Sequence, residues 1–170
     1  HYRYTLDKVF LKKAFPAMLS ATQFWLDRMI IDEKDGTYVC PQEYSPEHGP
    51  VEDGMPHAQQ LVWELFDNTL QAVDILGAKE CGISKQELKQ IRDCYSKIDR
   101  GLATEVYDGA WGEEFNGVRK GDKILREWKY SPYTAGEREH RHISHAMCLY
   151  PFNQIMDDPE LFEAMVNTLK

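Results

Sequence analysis

Apolar residues recur at steps of three and four in four separate stretches of this chain, and each stretch predicts an amphipathic helix. The first runs from Thr5 to Ile31, with Phe10, Ala14, Met18, Ala21, Trp25 and Met29 on one stripe. Pro16 falls inside it and is expected to split the stretch into two helices or kink it. The second runs from about Pro56 to Leu76; Pro56 suits a first helical position and Gly77 the position after the last. Its face of Val62, Leu65, Phe66, Leu70, Val73 and Leu76, widened by Trp63, is broad enough to pack between neighbours. The third opens at Ser84 with Glu87 three residues on, a capping-box pattern, and buries Leu88, Ile91, Cys94, Tyr95 and Ile98. The last opens at Asp158-Pro159 and carries Leu161, Met165 and Leu169 as its core stripe. Phe24, Trp25, Trp63 and Phe66 are assigned to the core.

Between the helices the pattern changes. Thr37 to Cys40 is β-prone and leads into Cys40-Pro41-Gln42-Glu43-Tyr44-Ser45-Pro46-Glu47-His48-Gly49-Pro50, where three prolines exclude a helix. The glycine-rich stretch from Gly101 to Gly121 has no helical period and reads as irregular, with a short extended piece at Lys123 to Trp128. Ser131 to Arg141 is polar and loop-like, and no repeat of fixed period is present. Loops this long inside a compact domain are usually functional.

Composition narrows the class. The chain has 170 residues, 42% of them hydrophobic and 12% aromatic, which suits a folded core. A net charge of -8 argues against a nucleic-acid surface, which needs a basic patch. No apolar run has the length to span a bilayer. Cys40, Cys81, Cys94 and Cys148 lack the C-x-x-C spacing and read as small buried hydrophobes. The chain begins at His1 without a signal peptide, and is expected to be a mature chain or a piece of something larger.

Two loops carry the candidate chemistry. Glu47 follows Pro46 and lies beside Tyr44 and His48; a carboxyl so placed is either a general acid or a solvated surface group. About a hundred residues later comes His140-Arg141-His142-Ile143-Ser144-His145. Its imidazoles are candidate metal ligands, hydrogen-bond donors to hydroxyls, or ordinary loop residues, and no evident carboxylate or cysteine completes a ligand set. Trp128, after Glu127, either stacks on a sugar face or fills the core, and Trp111 carries the same two readings. The two loops are expected to meet at one sugar-binding site.

The order Ser45-Pro46-Glu47, Gln59-Gln60-Leu61-Val62, Leu65-Phe66, Glu127-Trp128, Arg141-His142-Ile143-Ser144-His145, Leu149-Tyr150-Pro151 and Gln154-Ile155 resembles glycoside hydrolase family 95 over nearly the whole chain. Members are inverting α-L-fucosidases, chiefly on α-1,2 links, with some α-L-galactosidases, and their catalytic domain is an (α/α)6 six-hairpin toroid. The resemblance implies an all-α fold with long loops and at most a small β element near residues 37 to 41. Residues 1–170 are then the middle of a single toroid, with flanking parts missing at both ends. It implies that Glu47 is the general acid of an exo-α-L-fucosidase, and that Arg141, His142, His145, Glu127, Trp128 and His48 line the sugar pocket, with no metal and no cofactor. His48 stands where many members have Asn, and Ala146 and Phe152 stand where Leu and Gly are common, which points to a subgroup. The family's water-activating residues, an asparagine pair upstream and an aspartate downstream, have no counterpart in these residues. The expected partner is an oligosaccharide, in the periplasm or outside a bacterial cell. The isolated piece is expected to be inactive and to self-associate through helix faces meant for missing hairpins. The rival readings are a non-catalytic helical carbohydrate- or protein-binding module and a metal-dependent hydrolase centred on the histidines.

Overall fold

A computed structural model describes all 170 residues. The chain divides into two compact units, His1–Tyr38 with Val62–Ile98, and Val39–Leu61 with Asp99–Lys170.

In the first unit a short helix α1 (Tyr2–Thr5) precedes the long α2 (Lys8–Arg28). Asp7 caps α2, its Oδ1 accepting from the Val9 and Phe10 amides at 2.9 and 3.0 Å. Pro16 does not split this helix, which runs on for 21 residues. The ring lies on the exposed side, so it displaces no core residue, and packing of the other side holds the helix together. That buried side is Leu11, Phe15 and Thr22, not the stripe through Phe10. Phe10 is 42% exposed and Phe24 57%, so Phe24 is not a core residue. A hydrophobicity reading cannot see Thr22 as core. Its hydroxyl is satisfied internally by Met18 O and by Thr69 Oγ1 at 2.9 Å, which removes the cost of burying it.

Strands β1 (Ile30–Ile31) and β2 (Tyr38–Val39) pair, and then comes α3 (Pro56–Leu76), of which Val62 onward belongs to this unit. Its bounds are those the proline and glycine signals predict, and Val62 and Phe66 are fully buried. After α4 (Ala78–Cys81), α5 (Lys85–Tyr95) starts at Ser84, whose Oγ accepts from Glu87 N at 3.1 Å. Ile91, Cys94 and Ile98 are buried as the third stripe requires.

The second unit holds β3 (Glu43–Tyr44), β4 (Val51–Glu52), β5 (Thr104–Val106), β6 (Glu114–Phe115), β7 (Val118–Arg119) and β8 (Lys123–Leu125). β3 pairs with β4, β5 with β8, and β6 with β7, all antiparallel. The β content thus exceeds the single element expected near residues 37 to 41. The stretch read as irregular contains a hairpin whose turn is Asn116-Gly117, both at positive φ (51° and 91°), the backbone a two-residue primed turn demands. Helix α6 (Pro159–Thr168) is capped by Asp158 and packs on β8. Thr168 Oγ1 accepts from Leu125 N at 2.8 Å, and Asn167 Nδ2 donates to Lys123 O at 3.1 Å. Leu125, Ala146, Cys148, Ile155 and Met165 form the core beneath.

The chain is helix-rich with strands of two or three residues, compatible with an all-α domain. No helix is long and apolar enough to cross a membrane. None of the four cysteines is in a disulfide; Cys40, Cys94 and Cys148 are buried and Cys81 is half-buried.

Two glutamines at the start of α3 hold the loops. Gln59 and Gln60 are fully buried. Gln59 accepts from Cys40 N at 2.7 Å and donates to Asp99 O at 2.6 Å. Gln60 donates to Gly101 O and His145 O, and accepts from Cys148 N at 2.8 Å. An amide side chain can both donate and accept, so each glutamine replaces the missing ladder partners of irregular backbone.

Candidate active site

The two loops meet. Ser45 Oγ lies 2.8 Å from Ser144 Oγ, Glu47 pairs with Arg141, and the His48 and His140 rings stack at 3.9 Å and 15°. Ser45 to His48 is a tight turn closed by His48 N donating to Ser45 O at 3.0 Å, with a cis peptide at Pro46–Glu47.

Glu127 is the hub beneath this turn. Its Oε1 accepts from Ser45 Oγ at 2.5 Å and from His48 Nε2 at 3.0 Å, and its Oε2 faces His145 Nδ1 at 3.7 Å. Glu137 N donates to His48 Nδ1 at 3.0 Å, so that nitrogen is an acceptor and the ring proton sits on Nε2, pointing at Glu127. Because Ser45 spends its proton on Glu127, Ser144 must be the donor in the serine pair. Burial works against a charge on Glu127. The His145 imidazole 3.7 Å away, then the Ser45 hydroxyl and the His48 N–H, outweigh it and hold the carboxyl down at about 2. Glu127 is therefore a fixed anion and acceptor, unsuited to giving up a proton near neutral pH.

Trp128 is 1% exposed and wedges against His48, ring to ring edge at 5.3 Å. Two glycines make room for it. A Cβ on Gly49 would sit 2.2 Å from the indole, and one on Gly136 would sit 2.4 Å from it and 2.6 Å from His48 Nδ1. Trp128 thus supports His48 from behind.

Glu47 contrasts with all of these. Its side chain is 62% exposed and its Oε2 accepts from Arg141 at 2.5 Å, with Arg141 equally open at 68%. The residues flanking the Pro46–Glu47 pair, Ser45 and His48, are both tied to Glu127, so Glu47 is presented to solvent from a turn pinned at both ends. His142 is exposed beside His140, and its amide donates to His140 Nδ1 at 3.2 Å. No three His, Cys, Asp or Glu side chains converge as a metal-ion ligand set; the His140 and His142 rings lie tilted at 57°, 5.3 Å apart.

The glycosyl hydrolase family 95 catalytic domain model matches residues 1–170, the whole chain. The chain belongs to glycoside hydrolase family 95. Among proteins similar to it, probable alpha-fucosidase A of Aspergillus niger is 32% identical over 158 residues, 89% of this chain and 17% of that protein. Alpha-L-fucosidase 2 of Arabidopsis thaliana is 31% identical over 185 aligned residues, covering 100% of this chain and 19% of the relative. The chain spans less than a fifth of the length of these relatives.

Within this family 95 segment, the residues expected at the sugar pocket divide into two groups. Glu47, Arg141 and His142 are on the open side of the loops. His48, Glu127, His145 and Trp128 form the supporting network. Residue reasoning missed Ser45 and Ser144 as members of that network, since a serine carries no distinctive signal. It missed His57 as well, a half-buried imidazole kept less basic chiefly by burial, against the pull of Glu43 and Glu127.

Proposed function

We propose that the whole protein is an inverting exo-α-L-fucosidase acting on α-1,2-linked fucose of oligosaccharides, and that this chain is the part of its (α/α)6 toroid that carries the general acid. The single observation that carries the reading is the turn of Ser45 to His48, which fixes Glu47 at a solvent-facing position opposite Arg141. In this reading the Glu47 carboxylic acid gives its proton to the glycosidic oxygen as the C–O bond breaks. A water attacks the anomeric carbon from the opposite face, and residues elsewhere in the protein take its proton. Arg141 orients the Glu47 carboxyl, and Arg141 and His142 offer donors to sugar hydroxyls. Glu127 stays charged throughout and holds the turn in register with the second loop.

The test uses the full-length protein on an α-1,2-fucosylated oligosaccharide, with the anomers followed by proton NMR during turnover. β-L-Fucose is expected to appear first and the α anomer only by later mutarotation. First release of α-L-fucose, or no release, would contradict the reading.

A further inference from the structure

Beside the two loops runs a cleft of about 370 Å³, lined by His48, Glu127 and His142 and also by the aromatic residues Trp111, Phe115 and Tyr133. The resemblance assigns nothing to these aromatic residues; Trp111 and Phe115 come from the connection between β5 and β8, and Tyr133 from the stretch after β8.

Trp111 is held there with unusual care for a half-exposed loop residue. Both of its neighbours are tied down. Ala110 N donates to Asp108 Oδ1 at 2.9 Å and to Tyr133 Oη at 3.2 Å, while Tyr107 Oη donates to Gly112 O at 2.7 Å. Gly112 N closes the turn onto Gly109 O at 2.9 Å. The indole meets Tyr133 edge-to-face at 4.8 Å and 89°, and Phe115 at 5.5 Å and 66°. The Arg138 guanidinium covers Phe115 at 4.4 Å, so of these two rings Phe115 already has a partner over its face. A loop aromatic fixed by its neighbours' hydrogen bonds has already lost the freedom that ligand binding would otherwise cost. The rim supplies Asn116, Glu137, Arg138 and Glu139. An apolar ring platform with polar groups around it suits a pyranose, which has an apolar C–H face and a hydroxyl edge.

We propose that Trp111 is the platform of a subsite for the leaving-group sugar, the residue that carries the fucose and departs when the bond breaks. This rests on the fucosidase reading, since only that reading makes the group beyond the scissile bond a sugar. Continuity supports it: His48 and His142 border the same cleft, and each is next in sequence to a member of the Glu47–Arg141 pair.

The test compares full-length wild type with Trp111→Ala on three probes. α-1,2-Fucosylated lactose fills the subsite, α-L-fucosyl fluoride does not, and lactose alone reports binding by calorimetry. The variant is expected to lose about tenfold in kcat/KM on the fucosylated lactose and nothing on the fluoride. It is expected to lose lactose binding, with Trp111→Phe restoring most of both. An equal fall on both substrates, or no fall on either, would overturn the subsite. If wild type cleaves neither substrate, the fucosidase reading fails, and lactose binding decides the subsite alone. Binding lost with Trp111→Ala then keeps Trp111 as a sugar platform without the leaving-group role, and binding absent from wild type or unchanged in the variant removes the platform as well.

Discussion

Two glutamates, Glu47 and Glu127, flank one turn in opposite surroundings, the first open to solvent and the second buried among hydrogen-bond donors. Glu127 is held at about 2, below the ordinary glutamate value of about 4.3, and that gap corresponds to at most about 3 kcal/mol of folded-state stability. A carboxyl depressed on folding stabilises above its unfolded value, and the contribution drains away as pH falls toward the folded value. Between about pH 5 and 2 the full-length protein is therefore expected to lose stability, and Glu127→Gln should flatten that part of the curve while lowering the melting temperature at pH 7. Melting curves across pH check this; an unchanged slope in the variant would show that Glu127 is not the group responsible. The packing behind His48 gives a second prediction. Gly136→Ala forces a methyl into Trp128 and His48 without backbone strain, and overpacking of this kind costs about 1–3 kcal/mol. Gly49→Ala makes a comparable clash at φ +74° and should cost about 1 kcal/mol more. Thermal denaturation of the two variants should rank them in that order.

The loops are organised by the first turns of α3. Gln60→Leu would leave Gly101 O, His145 O and Cys148 N without their partner in a dry interior, and such orphaned groups cost about 1–3 kcal/mol each. The 3-10 helix Ser144–Cys148 should then lose its place, and hydrogen exchange at Cys148 N should accelerate strongly; unchanged protection there would count against the clamp. The elements themselves were legible in the sequence where local chemistry decides them. Pro56, Ser84 and Asp158 mark the starts of α3, α5 and α6 because caps and first-turn prolines act within a few residues. The misses have physical reasons as well. Pro16 looked like a breaker, yet an exposed proline inside a well-packed helix is tolerated. The buried side of α2 includes Thr22, whose partner Thr69 is 47 residues away. The Asn116-Gly117 turn was readable in principle, but it lay within a glycine-rich stretch without apolar alternation. Glu47, Arg141 and the histidines were named from the sequence. Their division into an exposed pair and a buried network was not, because Ser45, Ser144 and Glu127 are joined only by long-range contacts.

At the scale of the molecule, these residues are less than a fifth of the length of the relatives they match. Val9 is 81% exposed, Phe24 57% and Ile31 56%, apolar surface of the kind that further chain or another copy covers. The isolated 170-residue chain is expected to self-associate, with sedimentation velocity showing species larger than a monomer; a clean monomer at tens of micromolar would contradict this. It is also expected to release no fucose. Inversion needs an acid and an activated water on opposite faces, with carboxyl groups roughly 6.5–9.5 Å apart, and the proposed water-activating groups belong to other parts of the full-length protein. Glu47 as the proton donor is the central proposal, and leaving-group dependence in the full-length protein tests it. Glu47→Gln keeps the shape of the side chain and removes the transferable proton, so kcat/KM on α-1,2-fucosylated lactose should fall by roughly 10²–10⁴-fold. On a nitrophenyl or fluoride leaving group, which departs with little protonation, the fall should be far smaller. An equal loss on good and poor leaving groups would contradict the account and make Glu47 a binding or structural residue.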